Sequence, residues 1–385
     1  MRCPLAERVA LSAGRRIMTS TVLPATASLH SCGCTTGDLG LAWAQSALHE
    51  ELNIPSIAEV ARLAGVSPTT VSHALSGQRP VSASTRRRVQ EAMDAVGYSP
   101  RRAAQNLARG STRLLGLIVP DISNSFFAEL AKGVEEAAID AGYNVVLCNS
   151  AFNHERELLY LETIRSRAVD GVVYAAGSPT SHREMVDSLG NIPVVLVDED
   201  VLGSSACSYV SDNAEGGRLA AEHLIGLGHQ HAIIVSTSGL GSSDDRADGF
   251  AGAWESHGLP RPVVVNGDFT YDGGYQAMDA LHPKSGLDFS AVFATNDLMA
   301  LGVISRLVEA GLSVPENMSV IGFDDIAIAG ITRPGLTTVK QDVRQLGFRA
   351  AGALIAALGS STTPPAVRHV QPVELIVRGT TSRHT

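Results

Sequence analysis

The chain has 385 residues, 44% of them hydrophobic, with 30 Lys and Arg against 39 Asp and Glu and a formal net charge of −9. This is enough for a small domain plus a body with one or two buried cores, and no apolar run reaches the roughly 18 residues a membrane span needs, so an integral helical membrane protein is excluded. Five cysteines, Cys3, Cys32, Cys34, Cys148 and Cys207, lack a paired framework and suit a reducing compartment.

Charge divides the chain. Residues 53–113 carry nine basic and three acidic side chains, a balance of +6, whereas residues 114–385 carry 17 and 32, a balance of −15. A small basic module on a large acidic body fits a phosphate-binding head whose body stays off the polyanion.

In chain order, residues 1–52 show no sustained helical or strand period and read as a disordered extension or a miscalled start. His30, Cys32 and Cys34 lack a fourth ligand and zinc-like spacing, and no metal or cofactor is expected. Arg15-Arg16 and the stretch up to Cys32 faintly resemble a lipoprotein export signal, but Pro24 and four hydroxyl residues interrupt the apolar core. The stretch SIAEVARLAGVSPTTVSHAL, residues 56–75, follows a helix-turn-helix grammar. Ser56 caps a helix with Ile57, Val60 and Ala61 on one face, Gly65 tolerates the turn, and Ser67-Pro68 opens a second helix. That second helix exposes Pro68, Thr69, Thr70, Ser72 and His73, suited to phosphate oxygens and base edges. The stretch alone also suits an ordinary αα-hairpin. Ser82 opens a third helix, packed through Val89, Met93 and Val96 and stopped at Gly97-Tyr98-Ser99-Pro100. The basic, alanine-rich segment Arg101 to Arg109 is too short to be a stable helix alone; it reads as a conditional switch or a plain linker.

From Leu114 onward strands and helices alternate. Strands are expected at 114–119, 144–148, 171–174 and 193–197, then at 231–236, 262–265, 291–294 and 319–321, with helices at 126–140, 155–167, 213–226, 246–257 and 297–310. Such βαβ units build parallel sheets with ligands beyond the carboxyl ends of the strands. Two successive sets imply two lobes and a cleft, lined by residues 121–127, Asn296-Asp297 and Asp324-Asp325.

With GLIVPDISNSFF, DNAEGGRLAAEHLIGLGH, FATNDLMALG, VPENMSVIGFDD and LTTVKQD following the helix-turn-helix in collinear order, the chain resembles the lactose-repressor/galactose-repressor family of transcription regulators from about Ser56 to about Thr381. The resemblance implies an α/β fold: an N-terminal helix-turn-helix three-helix head plus hinge helix, followed by a two-lobed periplasmic-binding-protein-like body with two parallel sheets. The implied divisions are residues 53–99 for the DNA-binding domain, 100–112 for the hinge and 113–385 for the effector-binding and dimerisation domain. Lobe 1 is expected at about 113–211 and 341–369, lobe 2 at about 212–340 and 370–385.

The resemblance also implies roles. Pro68, Thr69 and His73 would face base edges, and Ser67, Thr70 and Ser72 would hold phosphates. His73 stands where the family usually has Arg, so a bidentate grip on guanine is replaced by a ring making a single bond. Leu107 stands where the hinge wedges a leucine into the minor groove, and Gln105 where many relatives carry Arg. Asn124, Phe126, Arg246, Phe269, Asn296, Asp324 and Gln341 match effector-binding positions, chemistry that suits a sugar, with purines, nucleosides and sugar phosphates as alternatives. Asp198-Glu199 departs from the common Asp-Arg and argues against an anionic effector. Asp297 and Asp325 suit helix caps.

The implied partners are near-palindromic operator DNA, a small-molecule effector and a second copy of the chain, in the cytoplasm and with no membrane. No apolar heptads follow Leu375 to Thr380, so a homodimer is expected over a tetramer. Against an enzyme stands the lack of a G-x-S-x-G elbow, a P-loop or a full dinucleotide fingerprint, Gly239-Leu-Gly241 lacking the third glycine. Against an exported sugar-binding protein, which would share the pattern after Leu114, stand residues 56–109.

Overall fold

Local side-chain caps build the head. Ser56 accepts a hydrogen bond from the Glu59 amide at 3.3 Å and starts α1 (Ile57–Ala64). Gly65 ends it at φ 63°, a left-handed turn that a residue without Cβ adopts cheaply, and Val66 N–H donates back to the Ala61 carbonyl at 3.0 Å. Ser67 accepts from the Thr70 amide at 3.1 Å at the start of α2 (Pro68–Ser76), whose first residue is a proline at a position where no N–H is needed. Ser82 does the same for α3 (Ala83–Val96), accepting from the Thr85 amide at 3.2 Å. Val60, Ala61, Ala64, Val71, Val89, Ala92 and Met93 form the core, with Ile57 and Val96 at its edge.

This computed structural model describes residues 56–76, 79–98, 111–166, 169–282, 288–360 and 362–384. The chain divides into two units, Met1–Ser99 and Pro100–Thr385. Leu107, Gln105, and the His30, Cys32 and Cys34 group lie outside the described residues.

The second unit holds two six-stranded sheets. The first comprises β1 (Leu114–Val119), β2 (Asn144–Asn149), β3 (Gly171–Tyr174), β4 (Val194–Val197), β5 (Cys207–Ser211) and a late strand, β11 (Arg368–Gln371). Its order is β11-β5-β4-β3-β1-β2, with every pair of neighbours parallel. The second comprises β6 (Ala232–Ser236), β7 (Val263–Asn266), β8 (Ala291–Ala294), β9 (Ser319–Asp324), β10 (Thr337–Lys340) and β12 (Glu374–Ile376). Its order is β12-β10-β9-β8-β6-β7, parallel except for β12 against β10. The two orders correspond strand for strand: β1 with β6, β2 with β7, β3 with β8, β4 with β9. The body is thus a topological repeat.

Helices cover the sheets. α4 (Ser125–Asp140), α5 (His154–Ser166), α6 (His182–Leu189) and α12 (Val343–Ser360) belong to the first lobe. α7 (Asn213–Gly226), α8 (Gly241–Ser256), α9 (Tyr271–Ala280), α10 (Asp297–Glu309) and the short α11 (Ala327–Ile331) belong to the second. α7 and α8 lie backbone to backbone: a Cβ on Gly217 would overlap the Arg246 carbonyl, and one on Gly249 the Ala214 carbonyl.

The chain crosses between lobes after Ser211, after Lys340 and after Gln371. The last crossing falls two residues later than the expected boundary at 369/370, because the β11 ladder with β5 runs on through Gln371 and Ser211. The crossings are laced together: Asp212 N–H donates to the Gln371 carbonyl at 2.8 Å, and Gln371 Nε2 to the Asp342 carbonyl at 2.9 Å. The expected strands and helices from 114 to 321 appear, those at 114–119, 171–174, 213–226 and 291–294 with the expected bounds and most others shifted by one residue, except that β9 runs on to Asp324 and α8 begins at Gly241, five residues before the expected Arg246. The sequence reading did not assign β5, β10, β11, β12, α6, α9, α11 or α12.

Candidate functional sites

On the head, Ser67, Pro68, Thr69 and Ser72 are exposed, while Thr70 and His73 are half-buried. Ser67 is committed twice over, as cap of α2 and in a hydroxyl–hydroxyl bond to Thr70 at 2.9 Å. His73 Nδ1 is buried and has no hydrogen-bond partner among the described residues. Arg86, Arg87 and Arg88, on the first turns of α3, are exposed, and no carboxylate among the described residues pairs with them. Unpaired guanidinium groups of this kind displace counterions from a phosphate backbone.

In the body, Asn124, Phe126, Arg246, Phe269, Asn296 and Asp324 line one narrow cavity, with about 30 Å³ open to a water-sized sphere, together with Phe127, Phe152, Asp198, Glu199 and Ser242. Phe126 and Phe127 meet edge to face at 4.9 Å between centroids, Phe127 and Phe152 at 6.5 Å, and Phe152 stacks on Phe269 of the other lobe at 6.1 Å and 19°. Four wall residues sit at positive φ: Phe152 (52°), Asp198 (68°), Phe269 (63°) and Asp324 (109°). Such conformations cost about 1–3 kcal/mol each and persist where the surrounding structure holds them. They follow the repeat: Phe152 comes after β2 and Phe269 after its counterpart β7, while Asp198 comes after β4 and Asp324 ends its counterpart β9.

Most of the polar groups already have partners. Arg246, 3% exposed, donates from Nε to Asn213 Oδ1 at 2.8 Å, and from one terminal nitrogen to the Thr295 carbonyl at 2.7 Å and Asp324 Oδ1 at 3.4 Å. Its guanidinium lies 3.9 Å from the centre of the Phe323 ring. Asn124 caps α4, accepting from the Phe126 amide at 3.0 Å. Asn296 caps α10, accepting from the Met299 amide, and donates to the Phe269 carbonyl, both at 2.9 Å. Gln341 stands behind the wall, its Nε2 donating to Asp324 Oδ1 at 2.7 Å. Asp297 accepts from the Ile326 amide at 2.9 Å and from the Thr338 hydroxyl at 2.6 Å, while Asp325 pairs with Arg378 at 2.6 Å. Those two aspartates hold loops behind the site.

Two acidic wall residues were missing from the expected set. Glu199, from the first lobe, accepts from the Ser242 amide at 3.1 Å and from the Ser242 hydroxyl. It thereby caps α8 of the second lobe, whose N-cap residue Leu240 offers no side-chain bond. Asp198 Oδ1 is buried without a partner among the described residues. Three carboxylates therefore face the cavity against one guanidinium. Burial pushes the Asp198 carboxyl up, with Arg246 pulling the other way; burial, then the neighbouring Asp198, pushes Glu199 up. Burial, opposed by Arg246, takes Asp324 up to about 7. Phe152 was also missed.

A helix-turn-helix head on a two-lobed body with a cavity between parallel sheets defines a DNA-binding protein with a ligand-binding domain. A model of the bacterial regulatory proteins of the lacI family matches residues 56–101, and one of the periplasmic binding protein-like domain matches residues 221–381. The chain is 35% identical over 332 residues to the HTH-type transcriptional repressor PurR of Vibrio vulnificus (strain CMCP6), covering 85% of this chain and 99% of that protein. The structure matches the lac repressor dimer bound to operator and the anti-inducer ONPF with a TM-score of 0.74 at 27% identity, over 85% of this chain and 99% of that one. It matches the transcriptional regulator CelR in its cellobiose complex with a TM-score of 0.63 at 30% identity, over the same shares, 85% and 99%. The chain belongs to the LacI family: it is a DNA-binding transcriptional repressor with a ligand-binding domain.

Proposed function

We propose that the protein acts in the cytoplasm as a homodimer that represses carbohydrate-utilisation genes, its operator affinity switched by a sugar bound in the cavity between the lobes. One observation carries this reading: a single cavity joins carboxylates and a guanidinium to an aromatic wall running from Phe126 to Phe269 across both lobes. Carboxylates take hydrogen bonds from adjacent hydroxyls, and the rings cover the apolar face of a sugar. CelR, a relative of similar fold, has been solved with cellobiose. The aromatic wall also suits a purine or nucleoside. Against a base sandwiched between Phe152 and Phe269, their 6.1 Å separation lies within the roughly 4.5–7 Å of directly interacting rings. The excess of carboxylates disfavours sugar phosphates.

Closure of the lobes on the ligand biases residues 100–112 between helix and coil, and Leu107 enters the minor groove when the segment is helical. Pro68, Thr69 and His73 read bases while Ser67, Thr70 and Ser72 hold phosphates. Thermal-shift screening against sugars, sugar phosphates and nucleobases tests the reading, followed by operator binding with each hit. Ligand at 100 times its dissociation constant stabilises the body by about 2.7 kcal/mol. Neutral or amino sugars that shift both melting and operator affinity are expected; hits confined to nucleobases would overturn the sugar assignment. Leu107→Gly is expected to weaken operator binding and leave ligand affinity nearly intact, and equal loss of both would sink the hinge mechanism.

A further inference from the structure

The body's internal repeat places two aspartates in equivalent positions, and only one has a cation. Asp324, ending β9, receives Arg246 at 3.4 Å and Gln341 at 2.7 Å. Asp198, after the corresponding strand β4, is 8% exposed, lines the same cavity, and has an Oδ1 that no described group satisfies. Both sit at positive φ, 68° and 109°. Arg246 engages Asn213, Thr295 and Asp324 through Nε and one terminal nitrogen, and among the described residues its ion pair is with Asp324, not Asp198. No second basic side chain lines the cavity among the described residues. Glu199, adjacent to Asp198, adds another carboxylate and spends its oxygens on Ser242.

We propose that the effector carries a basic nitrogen among its hydroxyl groups, as an amino sugar or another aminated polyol does, and that Asp198 receives it. This rests on the reading of the cavity as the effector site. A buried carboxylate without a partner loses its solvation with no return, and a ligand ammonium restores it through a charge-assisted hydrogen bond. The ligand thus plays toward Asp198 the part that Arg246 plays toward Asp324. Burial and Asp198 raise the Glu199 carboxyl, so an arriving ammonium also favours release of its proton.

Calorimetric titration of the full chain with matched pairs tests this: glucosamine against glucose, galactosamine against galactose, mannosamine against mannose, and aminocyclohexanol against cyclohexanediol, with each N-acetylated amine alongside. The amine is expected to bind at least about tenfold tighter than its hydroxyl parent, a difference of ~1.4 kcal/mol, and acetylation to remove the advantage. In Asp198→Asn, with folding checked by circular dichroism, the ratio falls toward one. If that variant does not fold, the wild-type ratios decide alone. A hydroxyl parent that binds as well as its amine, an undiminished ratio in the folded Asp198→Asn variant, or no binding by any amine overturns the inference. Tightest binding by a neutral sugar overturns it while the sugar-responsive reading stands; binding by aminocyclohexanol alone supports it while that reading falls.

Discussion

The head and the cavity use polar groups in opposite ways. On the head, Pro68, Thr69, Ser72 and the Arg86 to Arg88 run are exposed over a core made largely of alanine and valine. In the cavity Arg246, Asp198, Glu199, Asn296 and Asp324 are buried, and most of their hydrogen-bonding capacity is used within the protein. A nucleic-acid backbone is matched by exposed charge, and the displaced counterions carry much of the affinity. A small ligand is matched by what a buried set leaves unpaired, because that residue of unmet demand is what it alone satisfies.

The largest expected effect comes from removing the charge that holds the cavity together. Arg246→Ala leaves Asp324 without its cation and Asn213 and Thr295 without their donor. Breaking a buried pair from one side costs about 3–5 kcal/mol, on the order of 10 °C in melting temperature for a body this size. Scanning calorimetry should show the body transition falling while the head is unaffected. Equal destabilisation of the head would break the contrast between the two units.

A smaller effect follows from pH. Asp324 is raised from an ordinary 3.8 to about 7, so between those values the folded state holds a proton that the unfolded chain has lost. Its contribution to stability is fully present below about pH 4 and is lost as pH rises through 7. Asp198 and Glu199, also raised, act in the same direction. His223 and His229, lowered by burial, act oppositely, losing stability as pH falls, so the informative quantity is the difference between wild type and Asp324→Asn. That difference is expected to change by up to about 4 kcal/mol between pH 4 and 8. Parallel melting curves for the two proteins would show that Asp324 ionises normally in the fold.

These contrasts explain what could be read in advance. Every cap in the head lies within three residues of the amide it serves: Ser56 with Glu59, Ser67 with Thr70, Ser82 with Thr85. Local spacing therefore suffices. Eight of the body's twelve described strands announced themselves as β-branched runs, and strand ends pointed to Asn124, Phe126, Asn296 and Asp324. The start of α8 could not be read, because its capping carboxylate, Glu199, lies 43 residues upstream in the other lobe. Phe152 sits in a loop at positive φ, where neither a period of 3.6 nor one of 2 marks it. Glu199 showed itself as a departure from the family pattern, but its contact with Ser242 exists only once the lobes are folded together. α12 went unassigned although its signal is local: Val343, Leu346, Gly347, Ala350, Ala351 and Leu354 keep helical spacing and are buried.

The smallest expected effect on stability separates the two duties of Ser67. As the cap of α2 its hydroxyl accepts from the Thr70 amide at 3.1 Å, and Ser67→Ala is expected to destabilise the head by about 1 kcal/mol. Aspartate caps as well as serine, and its charge favours the positive end of a helix, so Ser67→Asp should melt like wild type. If a phosphate approaches this exposed residue, the added carboxylate meets it, and operator affinity falls although the head is as stable as before. Fluorescence anisotropy with an operator fragment at two salt concentrations reads this, the penalty shrinking at the higher concentration as the repulsion is screened. Unchanged operator binding by a stable Ser67→Asp head would confine Ser67 to capping and leave the phosphates to Thr70, Ser72 and the unpaired arginines of α3.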